Sequence, residues 1–513
     1  MFFKRFIILF VVLLVFFTRF VGLIWGNGYY FHPDESNMAI ALSRLKSSDL
    51  DPHFYAYGQF PLYLGFFTLK AANLSNNFSN SIFILRFWSA VFSILAISVI
   101  YLISRKIFPP KISLITVLLT IFYPGLIQQA HFGTTESLLI LVFLLNIFLS
   151  IKIYERTKNY YLYILAGLTS GIGLATKISS LIFLSPILFV SLGLFLRSRH
   201  RLTYIPKIFL LLFFTTGFYL ILSPYNYLSQ SDFLSSLRYE TNVATGFLKV
   251  FYTTQFQNTP PYLFQLTKIF PYTSGLPVFV FAILGFFLFI NNFKFKIKNF
   301  KYWLLILLPG LFYFSYFGQL YVKWTRFVSP VFFIFPFFAT YLLSKISIPA
   351  LRYFLIIVCC LPGIYFMNLY LHSDIRQLAS QWISNNITSD SKILSESGNV
   401  VNLPLGDSNY QIDNYDFYNN YDPKTLAEAL ANSDYIFVPS RRVFKNYHYS
   451  YYQCLFDGSL GFIEIKQFDS QNDLLLNSEN AEETWSVFDH PTIRIYRKVK
   501  QFDISQYETI LKS

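Results

Sequence analysis

The chain has 513 residues, of which 54% are hydrophobic, 20% aromatic and 13% charged, and its mean hydropathy is +0.44. Soluble globular domains carry about 25% charged residues, so this composition excludes an ordinary soluble protein and indicates a membrane protein. The net charge of +14 is uneven, because residues 1–371 hold 29 Lys and Arg against 8 Asp and Glu, whereas residues 372–513 hold 12 against 19. We therefore predict a basic membrane domain at 1–371 and an acidic soluble domain at 372–513, with the basic residues setting topology rather than binding nucleic acid.

The apolar segments predict about eleven transmembrane helices, because a bilayer core takes about 20 mostly apolar residues per helix. They lie at 5–25, 81–104, 112–128, 137–152, 160–176, 179–196, 203–223, 276–292, 301–318, 326–344 and 350–371. The first segment is not followed by a small-residue cleavage site, which favours a retained helix over a cleaved signal peptide. The three cysteines exclude a disulfide framework.

Lys and Arg cluster in alternate loops, which predicts the side that faces the cytoplasm. The clusters lie at Lys4-Arg5, Arg105-Lys106 with Lys111, Lys152 with Arg156 and Lys158, Arg197 to Arg201, Lys294 to Lys301, and Lys345. The extracytoplasmic side then receives the loops 26–80 and 224–275 and everything after residue 372. Seven of the eight acids of the membrane domain fall on that outer side, namely Asp34, Glu35, Asp49, Asp51, Glu136, Asp232 and Glu240. Ionisable groups at membrane depth cost at least ~2.5 kcal/mol each, so this one-sided distribution predicts a shared outer cavity.

The first outer loop contains the stretch Tyr29 to Glu35, in which Asp34 and Glu35 follow His32 and Pro33. One interpretation is helix capping, with Asp34 as N-cap and Glu35 in the first turn, stabilising the helix by roughly 1 kcal/mol. The other is a functional acid pair, which also accounts for the histidine and for the position against the membrane. The sequence favours the second interpretation, and capping is compatible with it. Residues 35–46 and 59–74 predict two short interfacial or re-entrant helices beside this stretch.

The other outer turns carry further candidates for substrate binding. These are His32, His131, Glu136, Lys177, Gln257, Lys323 and Arg326, with Asp34 and Glu35 as catalytic candidates. Glu136 could hold a metal with Asp34, orient His32 or bind sugar hydroxyls, the alternative being a solvated turn acid. Lys177 and Arg326 could bind a phosphate, or could snorkel to lipid headgroups. The aromatic and amide side chains around Gln257 suit carbohydrate contact or interfacial anchoring.

The soluble domain predicts an α/β fold. Its expected elements are helices at 374–386 and 425–431 and strands at 392–396, 435–438, 461–467 and 492–496. Its sequence contains no Gly-rich phosphate loop, metal cluster or catalytic triad motif. We therefore expect it to serve docking or acceptor selection.

Taken together, the acids of the first outer loop, the second acidic site after the third predicted span and the basic positions Lys177 and Arg326 resemble the GT-C superfamily of polyprenyl-phosphate-sugar-dependent glycosyltransferases. The resemblance is to the family 39 and aminoarabinose-transferase-like branch, which includes the protein O-mannosyltransferases, and it covers roughly residues 1–371. It rests on Asp34-Glu35 within His32-Pro33-Asp34-Glu35, on Glu136, on Lys177, and on Arg326 with Pro330. It implies a GT-C fold with an extracytoplasmic appendage after residue 371.

The resemblance also implies an inverting transfer at the outer face of a plasma membrane. Asp34 would deprotonate an acceptor hydroxyl, and Glu35 and Glu136 would bind hydroxyls or a divalent cation (Mg²⁺ or Mn²⁺), for which the metal dependence stays open. Lys177 and Arg326 would neutralise the leaving phosphate. The implied partners are a polyprenyl-phosphate-linked sugar, membrane lipid and an acceptor protein, lipid or glycan. A lipid-linked sugar flippase and a glycan polymerase or ligase are the alternatives, although a flippase is expected to show polar residues or broken helices at mid-membrane.

Overall fold

A computed structural model of the chain describes residues 2–292, 299–396, 405, 410–416, 421–440, 449–469 and 475–512. Its backbone forms two compact units. The first comprises Met1–Leu23, Asp34–Leu248 and Pro260–Met367, and the second comprises Ile24–Pro33, Lys249–Thr259 and Asn368–Ser513. The second unit thus includes two short segments of the predicted outer loops, and the boundary at residue 371 stays a prediction. The basic residues at 294–298 lie outside the described residues.

Helices make up the first unit. The first residue of the helix that begins at Pro33 and the last turn of the helix that ends at Leu371 belong to the second unit. The helices are α1 (Phe2–Phe20), α2 (Pro33–Arg44), α3 (Phe60–Ala71), α4 (Phe78–Ile107), α5 (Pro110–Ile121), α6 (Pro124–His131), α7 (Glu136–Glu155), α8 (Tyr161–Leu174), α9 (Ser185–Arg197), α10 (Ile205–Leu222), α11 (Tyr225–Leu228), α12 (Gln230–Thr245), α13 (Leu263–Lys268), α14 (Phe270–Ser274), α15 (Leu276–Asn292), α16 (Phe300–Gly318), α17 (Thr325–Val328), α18 (Ile334–Ser344) and α19 (Pro349–Leu371). Short 3₁₀ helices at Ile178–Leu184, Arg201–Tyr204 and Ser329–Val331 lead into α9, α10 and α18.

The length and hydropathy of these helices confirm a multi-span membrane protein. Six are long and apolar enough to cross a bilayer, at Phe78–Ile107, Glu136–Glu155, Ile178–Arg197, Arg201–Leu222, Phe300–Gly318 and Pro349–Leu371. Two further pairs, α5 with α6 and α17 with α18, would each make one span bent by 56° and 46°, which gives up to eight. Shorter apolar helices at Ile8–Phe20, Tyr161–Leu174 and Leu276–Asn292 fall in three other predicted segments, and the count of eleven stays a prediction.

The predicted short helices of the first outer loop are α2 and α3. In α2 the side chains of Met38, Ala39 and Leu42 are buried along one face, as the spacing of apolar residues predicts. Helix α3 begins with Pro61 in its first turn, where the missing N–H of proline costs no hydrogen bond. Their position at a membrane interface stays a prediction.

Small residues allow α8 and α10 to pack in close contact. A Cβ atom on Gly171 would lie 2.6 Å from Cβ of Phe218 and 2.9 Å from the carbonyl oxygen of Thr215. Gly167, one turn earlier, would meet Phe214 and Leu211 at 2.7 and 2.8 Å. This is the Gly-x-x-x-Gly spacing that brings helix backbones together within membranes. The close contact fixes the turn after α8, which carries Lys177.

The second unit is built on a five-stranded mixed sheet. Its strands are β1 (Lys392–Glu396), β2 (Gln411–Tyr415), β3 (Tyr435–Val438), β4 (Phe462–Phe468) and β5 (Ile493–Lys498), in the order β2-β1-β3-β5-β4. Strand β1 is parallel to β2 and β3, whereas β5 is antiparallel to β3 and β4. Its helices are α20 (Ile375–Asn386), α21 (Pro423–Asn432), α22 (Tyr449–Phe456), α23 (Glu483–Val487) and α24 (Ile504–Lys512), with 3₁₀ helices at Phe251–Phe256 and Ser478–Asn480.

Alternating side chains of the sheet form two apolar cores. Leu394 and Ile436 face a core completed by α21, α22 and α24, while Ile393 and Phe437 face the core against α20. The α/β class and the predicted elements of this domain are confirmed, but β2, α22, α23 and α24 were not predicted. In β2 four of the five side chains are exposed, so the strand lacks the apolar alternation that would have marked it.

We expect Gly171→Ala to lower the thermal unfolding temperature, because the added methyl group must displace backbone of α10. Overpacking of this kind typically costs about 1–3 kcal/mol. The matched control is Gly217→Ala in α10, where a Cβ meets nothing within 4 Å, so removing a flexible helical glycine should leave stability unchanged or raise it by up to about 1 kcal/mol. Thermal unfolding of both purified variants in detergent, followed by tryptophan fluorescence, measures the difference. Equal melting temperatures would show that the α8–α10 contact is not close.

Candidate active site

Glu35 is held in a buried ion pair with Arg86 of α4. The glutamate is 0% and the arginine 1% exposed. The guanidinium donates from Nε to Oε1 and from Nη2 to Oε2 of Glu35, each at 2.7 Å. The backbone N–H of Gly133 donates a third hydrogen bond to Oε1 at 2.7 Å. The bidentate contact and the third hydrogen bond tie α2 to α4 and to the turn before α7.

The direction of Glu35 determines the direction of Asp34. Neighbouring residues of an α-helix point about 100° apart, so Asp34 points in a different direction from the buried Glu35. The Asp34 carboxylate, 22% exposed, forms an ion pair with Arg326. Glu35 was predicted as a second catalytic acid; it is completely buried here with three hydrogen bonds donated to its carboxylate, and its catalytic role stays a prediction.

Arg326 lies in α17, the short helix that precedes the bend into α18. Its guanidinium carbon stacks 4.4 Å from the centroid of the Trp324 ring, and Nη1 is 3.5 Å from the hydroxyl oxygen of Tyr57. The stacked ring favours a positive charge next to it. Arg326 is 20% exposed at its side chain, so it combines a fixed position with access for a ligand.

Lys177 also contacts Tyr57. Its Nζ lies 5.0 Å from the centroid of Tyr57 and 5.3 Å from that of Phe327. Tyr57 is therefore shared by two cations. Burial, followed by the negative charges of Glu136 and Glu240, raises the pKa of the Tyr57 phenol well above its ordinary value. The hydroxyl consequently stays protonated at physiological pH and can donate a hydrogen bond.

Backbone contacts hold Tyr57 beside Lys177. The N–H of Gly58 donates to the carbonyl oxygen of Thr176 at 2.9 Å, and that of Phe60 donates to Ala175 at 3.1 Å. A Cβ on Gly58 would lie 2.1 Å from the carbonyl oxygen of Ala175, so this close approach requires glycine. The loop before α3 and the turn after α8 are thereby fastened together.

The remaining candidates of the first unit differ in accessibility. Glu136 is 3% exposed at the start of α7, and its charge contributes to the raised pKa of Tyr57. His131 is completely buried, with ring nitrogens 2.9 Å from the carbonyl oxygens of Ile127 and Val21. Its predicted substrate contact is not available in this conformation, because no part of the side chain reaches solvent. Lys323 donates to the carbonyl oxygen of Tyr321 at 2.9 Å, and burial lowers its pKa.

Two candidates belong to the second unit. His32 is 5% exposed, and its ring centroid lies 4.4 Å from that of Phe488. Gln257 is exposed at the end of the 3₁₀ helix Phe251–Phe256. The substrate-binding roles of His32 and Gln257 stay predictions.

The predicted divalent cation finds no ready ligand set. Among the residues that the structure describes, no group of three or more His, Cys, Asp or Glu side chains is arranged to hold a metal ion. The carboxylate of Asp34, which was to share the ion with Glu136, pairs with Arg326. Metal dependence stays a prediction, and no step below depends on it.

Three residues of the site were not identified from the sequence: Tyr57, Trp324 and Phe327. The chain contains 38 Tyr, 61 Phe and 6 Trp, so a single aromatic residue in a loop does not stand out as a site residue. The turn Gly58-Gln59-Phe60-Pro61 after Tyr57 was the available local signal, and it indicates a bend rather than a ligand contact.

Residues 68–225 match the family model described as dolichyl-phosphate-mannose-protein mannosyltransferase. The predicted GT-C resemblance is confirmed. Glycosyl transfer is accordingly the general kind of reaction that this match supports. The matched segment runs from α3 to α10 and includes Arg86, Glu136 and Lys177, while Asp34 and Arg326 lie outside it.

Solved structures give weaker likenesses. ArnT from Cupriavidus metallidurans bound to undecaprenyl phosphate is 15% identical, with 74% of this chain and 66% of that chain covered and a TM-score of 0.47. The archaeal oligosaccharyltransferase AglB from Archaeoglobus fulgidus, in complex with an inhibitory peptide and a dolichol-phosphate, is 12% identical, with 84% and 68% covered and a TM-score of 0.49. The chain thus spans about two thirds of the length of each. No curated protein sequence matches the chain significantly.

Removing Arg86 should destabilise the protein strongly, because it leaves the Glu35 carboxylate buried without a counter-charge. We expect Arg86→Met to lower the free energy of unfolding by about 3–5 kcal/mol. Glu35→Gln combined with Arg86→Met should cost less than the sum of the two single changes, because the two groups interact directly.

The matched control is Lys106→Met, which breaks the partly exposed pair with Glu155 (side chains 26% and 23% exposed). Its effect should stay within about 1 kcal/mol. Denaturant titration in mixed micelles measures the free energy of unfolding of wild type, the two single variants, the double variant and the control. A loss for Arg86→Met as small as that for Lys106→Met would contradict the anchoring role of the buried pair.

Proposed function

We propose that this protein is an inverting glycosyltransferase that moves a sugar from a polyprenyl-phosphate donor to an acceptor hydroxyl at the extracytoplasmic face. The observation that carries the proposal is the convergence of one accessible carboxylate, Asp34, with two cations, Arg326 and Lys177, around Tyr57. A base beside a phosphate-binding pair is what glycosyl transfer from a lipid phosphate requires. The match to the dolichyl-phosphate-mannose-dependent family supports the same donor class. The extracytoplasmic placement rests on the distribution of Lys and Arg.

In this proposal Asp34 acts as general base. Its carboxylate accepts the proton of the acceptor hydroxyl, and the resulting oxygen attacks the anomeric carbon of the donor sugar. The bond between that carbon and the phosphate oxygen breaks, and polyprenyl phosphate leaves with the electron pair. A single displacement inverts the configuration at the anomeric carbon, as in carbohydrate reactions that use one carboxylate base and no covalent intermediate.

Arg326 and Lys177 neutralise the phosphate as it leaves. A guanidinium binds two phosphate oxygens in a fixed fork, whereas an ammonium acts as a compact point charge. Trp324 and Phe327 lie against these cations, and such partial exclusion of water strengthens the attraction to a dianion. The protonated hydroxyl of Tyr57 lies between them as a further donor.

Arg326 has to exchange partners during the cycle. In the present conformation it binds the Asp34 carboxylate, and a donor phosphate would compete for the same guanidinium. Donor binding would thereby release Asp34 to accept a proton. Base activation would then be coupled to the presence of the donor.

Asp34→Asn should lower release of free polyprenyl phosphate by about 10²–10⁴-fold, the range associated with loss of a general base. The matched control is Asp232→Asn, which removes an exposed acid of α12 on the same predicted side and should retain activity. Release is measured with purified protein in lipid, offered a panel of polyprenyl-phosphate sugars with candidate acceptors.

Near wild-type release by Asp34→Asn would exclude it as the base. Movement of intact donor across the bilayer without release would identify a flippase, with Asp34 as a binding residue. Transfer to a second lipid-linked glycan would indicate a polymerase or ligase that uses the same chemistry.

Lys177→Met should weaken binding of polyprenyl phosphate by about 10–100-fold, because a charge-assisted phosphate contact contributes about 1.5–3 kcal/mol. The control is Lys345→Met, which also removes a lysine over a tyrosine ring, 5.3 Å from Tyr341, but on the predicted cytoplasmic side. Its affinity should be unchanged. Calorimetric titration in nanodiscs gives both dissociation constants, and equal losses for the two variants would attribute the effect to general membrane electrostatics.

A further inference from the structure

The segment Ile24–Pro33 leads directly to Asp34, and it belongs to the second unit together with residues of the C-terminal domain. The Phe31 ring faces the guanidinium of Arg376, whose Cζ is 3.4 Å from the ring centroid. The carbonyl oxygen of Gly26 accepts a hydrogen bond from Nε2 of Gln377 at 2.8 Å. Both partners lie in the first turn of α20, so one helix holds two points of the segment.

Arg376 is itself held by hydrogen bonds from two of its three guanidinium nitrogens. It is 0% exposed, and it donates from Nε and Nη2 to the two carboxylate oxygens of Asp374 at 2.7 and 2.6 Å. Nη2 also donates to the carbonyl oxygen of Phe488 at 2.8 Å. Asp374 in turn caps α20 by accepting the N–H of Arg376 at 2.9 Å. A desolvated cation fixed in this way attracts an aromatic ring more strongly than one in solvent.

The next residue, His32, contacts the same part of the domain. Its ring lies 4.4 Å from the Phe488 ring. The neighbouring Asp489 is 1% exposed and accepts a hydrogen bond from the Tyr370 hydroxyl at 2.8 Å. Tyr370 lies edge-on to Trp25, at a centroid distance of 6.5 Å. Contacts near the start of the segment (Trp25 and Gly26) and near its end (Phe31 and His32) therefore involve residues of one domain.

We propose that these contacts, hereafter the segment clamp (Phe31 and His32 against Arg376 and Phe488), position the general base Asp34. The inference rests on the proposed function. From Phe31 to Asp34 the chain advances three residues, which span at most about 11 Å. Pro33 restricts the backbone between them, because its φ is locked and it biases His32 towards extended conformations. A displacement of Phe31 is thus transmitted to the first turn of α2.

The segment clamp gives the C-terminal domain a role that differs from docking or acceptor selection. Arg376 and Phe31 do not touch substrate in this account, so both are positioning residues. Loss of the segment clamp should lower the rate of the chemical step, because a misplacement of about 1 Å can cost about 100-fold in rate. It should not weaken the affinity for polyprenyl phosphate, since Arg326 and Lys177 are held by other elements and a displaced Asp34 competes less for Arg326.

Phe31→Leu tests the proposal, because it removes the ring while leaving the Arg376–Asp374 pair intact. We expect kcat for polyprenyl phosphate release to fall about 10-fold, while polyprenyl phosphate binds no more than about 2-fold more weakly than to wild type. Amide hydrogen exchange of residues 24–33, measured without donor, should become faster. Gln377→Ala, which removes the hydrogen bond to Gly26, should accelerate the same exchange.

The matched control is Phe502→Leu, which removes a ring that contacts Lys500 at 4.6 Å in the same unit, packs in the core on the other side of the sheet from α20, and leaves the segment clamp in place. It should keep kcat and the exchange of residues 24–33 at wild-type values. Unchanged kcat in Phe31→Leu, or a kcat loss matched by an equal loss of affinity, would overturn the positioning role. If wild type releases no phosphate from any donor, the proposed function fails, whereas unchanged exchange in both segment variants would overturn the segment clamp itself.

Discussion

The buried ion pair between Glu35 and Arg86 is the interaction on which the candidate active site depends. Two charges are removed from water here, and the three hydrogen bonds to the carboxylate compensate that cost only in one geometry. That geometry sets the rotation of α2 about its axis. Asp34 immediately precedes Glu35 in the helix, so the contact between Glu35 and Arg86 also sets the direction in which Asp34 points. Of the two adjacent acids, Glu35 is held in the buried pair, while Asp34 stays accessible for the proposed chemistry.

The cations opposite Asp34 depend on a second constraint, the close approach of three outer segments. Gly58 allows the loop before α3 to touch the turn after α8, and Tyr57 then lies between Lys177 and Arg326. The aromatic rings against the two cations reduce their contact with water. Arg326 already binds a carboxylate in this conformation. The same guanidinium is therefore suited to an anionic oxygen of a donor, and in the proposed cycle the exchange between the two anions links substrate binding to base release.

Much of the membrane unit was predictable, because hydropathy and loop charge act over long windows, and these placed helices in all eleven apolar segments. Asp34 and Arg326 stood out since charges are rare in such a sequence. The different environments of Asp34 and Glu35 were not predictable, because the burial of Glu35 depends on a partner 51 residues away. Tyr57 was hidden among many aromatic residues, and its role arises from backbone contacts to a distant turn. In the second unit β2 was not predicted, because it lies at the edge of the sheet beside β1 and four of its five side chains are exposed, so its sequence shows no alternation of apolar residues.

The most direct measurement of the central claim is an experimental structure of the full chain in nanodiscs with polyprenyl phosphate bound. The account predicts phosphate density within hydrogen-bonding distance of the Arg326 guanidinium and close to the ammonium of Lys177, with the Asp34 carboxylate no longer paired to Arg326. Glu35 and Arg86 should keep their bidentate contact in that complex. Phosphate bound away from both cations, with the Asp34–Arg326 pair intact, would contradict the assignment of this site.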